Sequence, residues 1–220
     1  MVGLLRLYRD FKSIGDHDPY GQIRFYEQHE AAIRRLELPA FFDCTLCYAR
    51  ALMETGQTGK HIFMCDRLLE LIIGENIHEW KGADPYRQVL FDKALSLFRT
   101  GAHRDAEHVL RALVRLAPED KMARRFLQTC LLHQKPAWLA YTRATSMVLL
   151  FATMLVIGAE IFFLQSFWPE VYKTALIAHN VLLFFALAVL GAGEFGHAGR
   201  CYLEAKAYAR HARKRKADRH

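Results

Sequence analysis

Three groupings in this chain of 220 residues have residue types and spacings that could do chemistry. Cys44, Cys47, His61 and Cys65 read C-x2-C-x13-H-x3-C, a spacing of the kind that ligates zinc. Glu160 lies inside one long apolar stretch and His179 inside a second, with Asn180 beside it. An acid and an imidazole in such surroundings either fasten two helices together or hold a proton or ion. The third grouping, Gly191, Gly193 and Gly196, matches G-x-G-x-x-G, a spacing that can cradle phosphates.

The elements that position these residues decide among the chemistries. A helical hairpin turning near Gln57 sets Cys47 opposite position 67 and His61 opposite position 53. Cys44 and His61 are then ~9 residues out of register, or ~13 Å at about 1.5 Å per residue. Ligands about 2.3 Å from one ion cannot come from there. The four are read as small buried packing residues, and no metal is expected. No strand precedes Gly191, so the glycines open no dinucleotide loop and no cofactor is expected. Instead Gly191, Ala192, Gly193, Gly196 and Gly199 are small residues at helical spacing that let another helix approach. In "HRDAEH", His103 and His108 are five apart and share no face, while Asp105 suits a helix N-terminus. With no nucleophile–base pattern and no paired acids, no catalytic residue is assigned and the chain is read as a non-enzyme.

Hydrophobic residues make up 52% of the chain and concentrate near its end. Positions 144–168 hold 25 residues with one charge, Glu160; positions 174–195 hold 22 with one acid, Glu194. About 20 apolar residues cross a bilayer as a helix. Two antiparallel spans joined by a short connector, Pro169–Lys173, are expected. Turned near Pro169, they bring Glu160 almost into register with His179, and Glu194 near Arg143 and Thr145. Lys121, Arg124, Arg125, Lys135 and Arg143 precede the spans, and Arg200 and Lys206 follow them. The connector offers Lys173 against Glu170. By the positive-inside rule both termini are cytoplasmic in a plasma or inner membrane, with the connector outside. Arg6 and Arg9 interrupt any secretory signal, and five cysteines at irregular spacing are expected to stay reduced.

The formal net charge is +7. Arg210, Arg213, Lys214, Arg215, Lys216 and Arg219 form a basic tail whose nearest polyanion is anionic lipid. Nucleic acid is the weaker partner, since no aromatic platform accompanies the charges.

Residues 1–140 show helical spacing throughout. Helices are expected at 3–13, 20–36, 40–54, 60–73, 85–100, 103–117 and 120–133, separated by Gly/Pro-rich breakers. Short turns between them mean antiparallel pairs. In Leu90–Asp120, small residues at Ala94 and Ala106, large apolar ones at Leu90, Leu97, Leu110 and Leu113, Gly101 at the turn and Pro118 at the end resemble a tetratricopeptide repeat. Cys44–Ile73 fits more loosely: Ala49, Leu52 and Gly56 match, but His61 stands where that repeat has alanine.

The expected molecule is all-α: stacked antiparallel helical hairpins over 1–140, a transmembrane helical hairpin over 141–200, and a basic cytoplasmic tail over 201–220. The resemblance implies a protein or peptide partner on the helical domain. The expected function is a membrane-anchored scaffold that recruits that partner. The alternative is an oligomerising transmembrane effector or channel-like subunit, with Glu160, His179 and Asn180 at contacts between copies or along a polar path.

Overall fold

A computed structural model describes residues 2–15, 17–164 and 169–218. The described chain is helical: α1 (Val2–Ser13), α2 (Pro19–Ile33), α3 (Leu38–Glu54), α4 (Thr58–Gly74), α5 (Pro85–Arg99), α6 (His103–Leu116), α7 (Lys121–His133), α8 (Ala137–Ala159), a π-helical turn (Glu160–Leu164) and α9 (Pro169–Ala217). Among the described residues the nearest approach to a strand is a lone bridge between Trp80 and Ala83.

Local chemistry sets the helix starts. The Asp18 carboxylate accepts from the Gly21 N–H at 2.8 Å and the Asp84 carboxylate from the Arg87 N–H at 3.2 Å, each followed by proline at the first helical position. Asp120 accepts from the Met122 N–H at 2.8 Å at the head of α7.

The chain divides into two compact units, Met1–Cys130 with Tyr208–His220, and Leu131–Ala207. In the first, successive helices from α1 to α6 pack on their neighbours. One core cluster holds Phe11, Ile23, Tyr26, Ile33, Cys44, Tyr48 and Leu52, with the Tyr26 and Tyr48 rings stacked at 4.1 Å. A second holds Phe42, Ala49, Cys65, Leu68, Ile72 and Val89.

The hairpins α3–α4 and α5–α6 repeat one another at a constant offset of 45 residues. Cys44/Val89, Ala49/Ala94, Leu52/Leu97, His61/Ala106, Cys65/Leu110 and Leu68/Leu113 are all buried. Their turns are built alike. The Gln57 and Ala102 N–H groups donate to the Leu52 and Leu97 carbonyls at 2.9 and 3.0 Å. Gly56 and Gly101 take φ values of 74° and 79°, a left-handed conformation that glycine adopts without steric cost.

In the second unit, α8 and the first part of α9 meet along a seam of seven-residue period. Leu139, Ser146 and Thr153 are buried on α8, Glu160 on the π-helical turn that continues it, and Ala186 and Gly193 on α9. That period is the one a left-handed helix pair keeps in contact. The seam is lined mainly by small or polar side chains, and the large apolar ones face outward. Met147, Val148, Phe151, Met154, Leu155, Phe162, Phe184 and Phe185 are all exposed. Two helical segments, Ala137–Phe162 with 26 residues and Ile177–Ala217 with 41, are long and apolar enough to cross a membrane.

The expected connector is a correction. Pro169–Lys173 is not a loop but the start of α9. Proline ends a helix from within but is favoured in its first turn, where its missing N–H loses no bond. The last residues of the first expected span, 165–168, lie outside the described residues.

Candidate functional site

The acid and imidazole singled out by type come together. The π-helical turn that follows α8 carries Glu160, which is 3% exposed, and His179 Nδ1 lies 2.9 Å from both of its carboxylate oxygens. Two other pairs accompany them in the hairpin. Ser146 donates to the Ala186 carbonyl at 2.9 Å, and Arg143 Nε donates to Glu194 at 2.6 Å. Asn180, next along α9, is exposed. A helix otherwise regular from Ala137 changes to a wider turn at its single acid. Such turns bring a side chain off the regular register and recur at functional positions.

Of the small residues on α9, Gly193 faces α8. A Cβ there would lie 2.6 Å from the Thr142 hydroxyl, so any larger residue forces Thr142 to move. Gly191 is half-buried, and Ala192, Gly196 and Gly199 are exposed. Closer to the tail, His197 Nε2 lies 3.3 Å from the Leu132 carbonyl, and the Arg200 guanidinium sits over the Trp138 ring.

The cysteine–histidine grouping is split. Cys44 belongs to the first core cluster and Cys65 to the second. Burial pushes both thiols up to about 12, so they stay protonated. Lys12 Nζ lies 3.7 Å from the half-buried Cys47 sulfur. His61 Nδ1 shares a 2.7 Å hydrogen bond with Ser96 of α5, and its Nε2 lies 3.4 Å from the Cys65 sulfur. The imidazole is 2% exposed, and burial holds it down to about 4, neutral at pH 7. A serine beside a neutral imidazole is also the start of a nucleophile–base pair. Here Ser96 is fully buried, and the adjoining cavity of about 10 Å³ admits at most a water molecule. Among the described residues no three His, Cys, Asp or Glu side chains are disposed around a metal position. Asp105 and His108 are both exposed on α6.

Asp43 is the residue that type and spacing did not reveal. It is 2% exposed, yet it accepts from Lys12 at 2.8 Å, Lys81 at 2.6 Å and Tyr8 at 3.0 Å. Burial alone would raise its carboxyl. The Lys12, Lys81 and Tyr8 hydrogen bonds outweigh that and hold it at about 2. The cluster ties α1 and the 75–84 loop to α3. The available signal was an acid within the apolar run of α3.

A groove of about 370 Å³ opens on α2, α3 and α4. Phe41, Phe63, Met64 and Leu71 line it, with charges from Arg34, Arg67, Glu70 and Glu75. Phe63 is 58% exposed, and the Arg67 guanidinium covers its ring. In the basic tail, Arg210, Lys214, Arg215 and Lys216 are exposed and Arg213 pairs with Glu119 at 2.6 Å. Arg219 lies outside the described residues.

Set beside known protein families, curated proteins and solved structures, the chain matches none.

Proposed function

We propose that this chain is a membrane-anchored scaffold whose stacked helical hairpins hold a protein partner at the cytoplasmic face. Both termini lie on that side, and the basic tail attracts anionic lipid. The observation that carries the reading is a division of apolar surface. The α8–α9 hairpin turns its large side chains outward, where lipid can cover them. The α2–α4 groove exposes an aromatic patch small enough for a peptide segment. The charges at its rim would set which segment fits. The full chain in mild detergent, immobilised, retains a discrete partner from the cytosol in this reading. Phe63→Glu abolishes retention without changing the melting temperature, because Phe63 packs little. Equal retention by the wild type and Phe63→Glu rules the groove out.

One observation favours a second reading, an oligomerising membrane effector. Glu160 is a buried acid on a π-helical turn, and the exposed small residues Ala188, Ala192 and Gly196 fall on one stripe of α9. A ring or higher oligomer in mild detergent that Glu160→Gln disperses supports it. A monomer unaltered by that change excludes it.

A further inference from the structure

We infer that a cleft between the last turn of α6 and the C-terminal turns of α9 binds a phosphate group. The cleft has a volume of about 870 Å³ and is lined by Arg115, Leu116, Tyr208, His211, Ala212, Arg215 and Lys216. Among the described residues none of the lining is acidic. Neighbouring cations are already neutralised: Arg111 pairs with Glu107 at 2.6 Å and Arg213 with Glu119 at 2.6 Å. Arg115, Arg215 and Lys216 have no ion pair among the described residues. Three like charges around one concavity repel each other, and a multivalent anion relieves that repulsion. The contrast with the α2–α4 groove is direct, since there acids and bases alternate.

Arg115 is also held in place before any ligand arrives. Its Nε donates to the Tyr208 hydroxyl, and its guanidinium lies 5.7 Å from the centre of that ring. A guanidinium fixed in this way gives up little freedom on binding. Its remaining N–H groups match the oxygens of a phosphate in pairs. Lys216 adds a compact charge and His211 a ring donor. The floor is apolar, from Ala212 and Leu116, so the pocket accommodates the carbon skeleton that carries the phosphate.

A lipid headgroup and a soluble phosphorylated molecule present the same group. The lipid source rests on the membrane reading of α8 and α9, and the soluble source does not. The test uses the full chain in uncharged detergent. Inorganic phosphate is titrated against its melting temperature. Separately, native mass spectrometry counts phosphatidylglycerol against phosphatidylcholine retained from mixed micelles. Wild type is expected to respond to at least one anionic probe. Arg115→Gln and Arg215→Gln weaken the response about tenfold or more, the loss of one charge-assisted contact. Arg104→Gln, an exposed cation of α6 outside both the lining and the basic tail, changes it less than about twofold. Arg215 is exposed, and the melting temperature of its variant without ligand separates a lost contact from a folding defect. A response to phosphate alone assigns a soluble ligand, and one to phosphatidylglycerol alone assigns the headgroup. Equal losses in Arg104→Gln and Arg215→Gln, or no response to either anion, overturn the site. Failure of the chain to float with vesicles overturns the membrane reading and leaves the phosphate titration interpretable.

Discussion

Asp43 and His61 show how differently two buried polar residues depend on their partners. Lys12 and Lys81 reach Asp43 from side chains that are 39% and 65% exposed, while the carboxylate itself is 2% exposed. Removing the acid lets both lysines return to water, so Asp43→Asn is expected to cost only about 1–2 kcal/mol. Removing the lysines strands a buried charge, so Lys12→Met with Lys81→Met is expected to cost about 3–5 kcal/mol. Chemical unfolding of the three proteins checks the order, and a costlier Asp43→Asn refutes it. His61 predicts a pH dependence. Its folded pKa of about 4 lies below the ordinary 6.5, so the unfolded chain binds more protons between those values. Stability is therefore full above about pH 6.5 and is lost as pH falls towards 4, by about 3 kcal/mol if the shift is fully expressed. A second loss follows from about pH 4 to 2 as Asp43 is protonated. His61→Asn keeps a hydrogen-bonding group towards Ser96 and is expected to flatten the upper window while leaving the lower one. A wild-type stability flat from pH 7 to 4 contradicts this. Neither residue's role was readable from its neighbours in sequence. Lys12 and Lys81 lie on other elements, and His61 stands out by a metal-like spacing and by occupying a place where the repeat has alanine, neither of which points to Ser96. The structure supplies the reason: Ser96 on α5 gives the larger ring a hydrogen-bond partner.

At the scale of elements, the helices of the first unit could be read to within a few residues because their ends are chemical events. Asp18, Asp84, Gly56 and Gly101 mark them on the page. The sequence places a connector at Pro169–Lys173 where α9 begins, because proline can either stop or open a helix and its type alone does not say which. The α8–α9 seam was half legible. Matching Glu160 to His179 and Glu194 to Arg143 needed only antiparallel counting, and both contacts are present at 2.9 and 2.6 Å. Which glycine meets the partner helix depended on the seven-residue period, and a four-residue stripe does not show it. That difference yields a sharp comparison. Gly193→Leu drives a side chain into Thr142, where even a Cβ approaches to 2.6 Å, while Gly196→Leu enters open space. The first is expected to destabilise the hairpin by about 1–3 kcal/mol and the second to change it by less than about 0.5 kcal/mol. Unfolding in mixed micelles with increasing sodium dodecyl sulfate measures both. Equal effects refute the seam.

The whole molecule is governed by where its apolar surface and its cations go. Residues such as Phe151, Phe162, Phe184 and Phe185 are 58–76% exposed, and stacking of α8 on α9 covers none of them. Leaving each such side chain in water forgoes about 1.5–3 kcal/mol, a penalty a bilayer removes. The direction of insertion follows from charge. Arg143, Arg200, Lys206 and the tail cations flank the far ends of the two helices, while Lys173 at the near end is offset by Glu170. Translocating the flanks would carry many lysines and arginines across the membrane, whereas translocating the near end carries one, so the near end is expected to cross. An impermeant maleimide checks this, because four of the five native cysteines are buried and Cys47 is half-buried. Glu170→Cys is expected to label from outside intact cells. Arg215→Cys, like Cys47, is expected to label only after the membrane is opened. Labelling of both introduced cysteines from outside would mean the hairpin does not span. Labelling of Arg215→Cys alone would invert it, and the α2–α4 groove would then face away from the cytosol and any partner there.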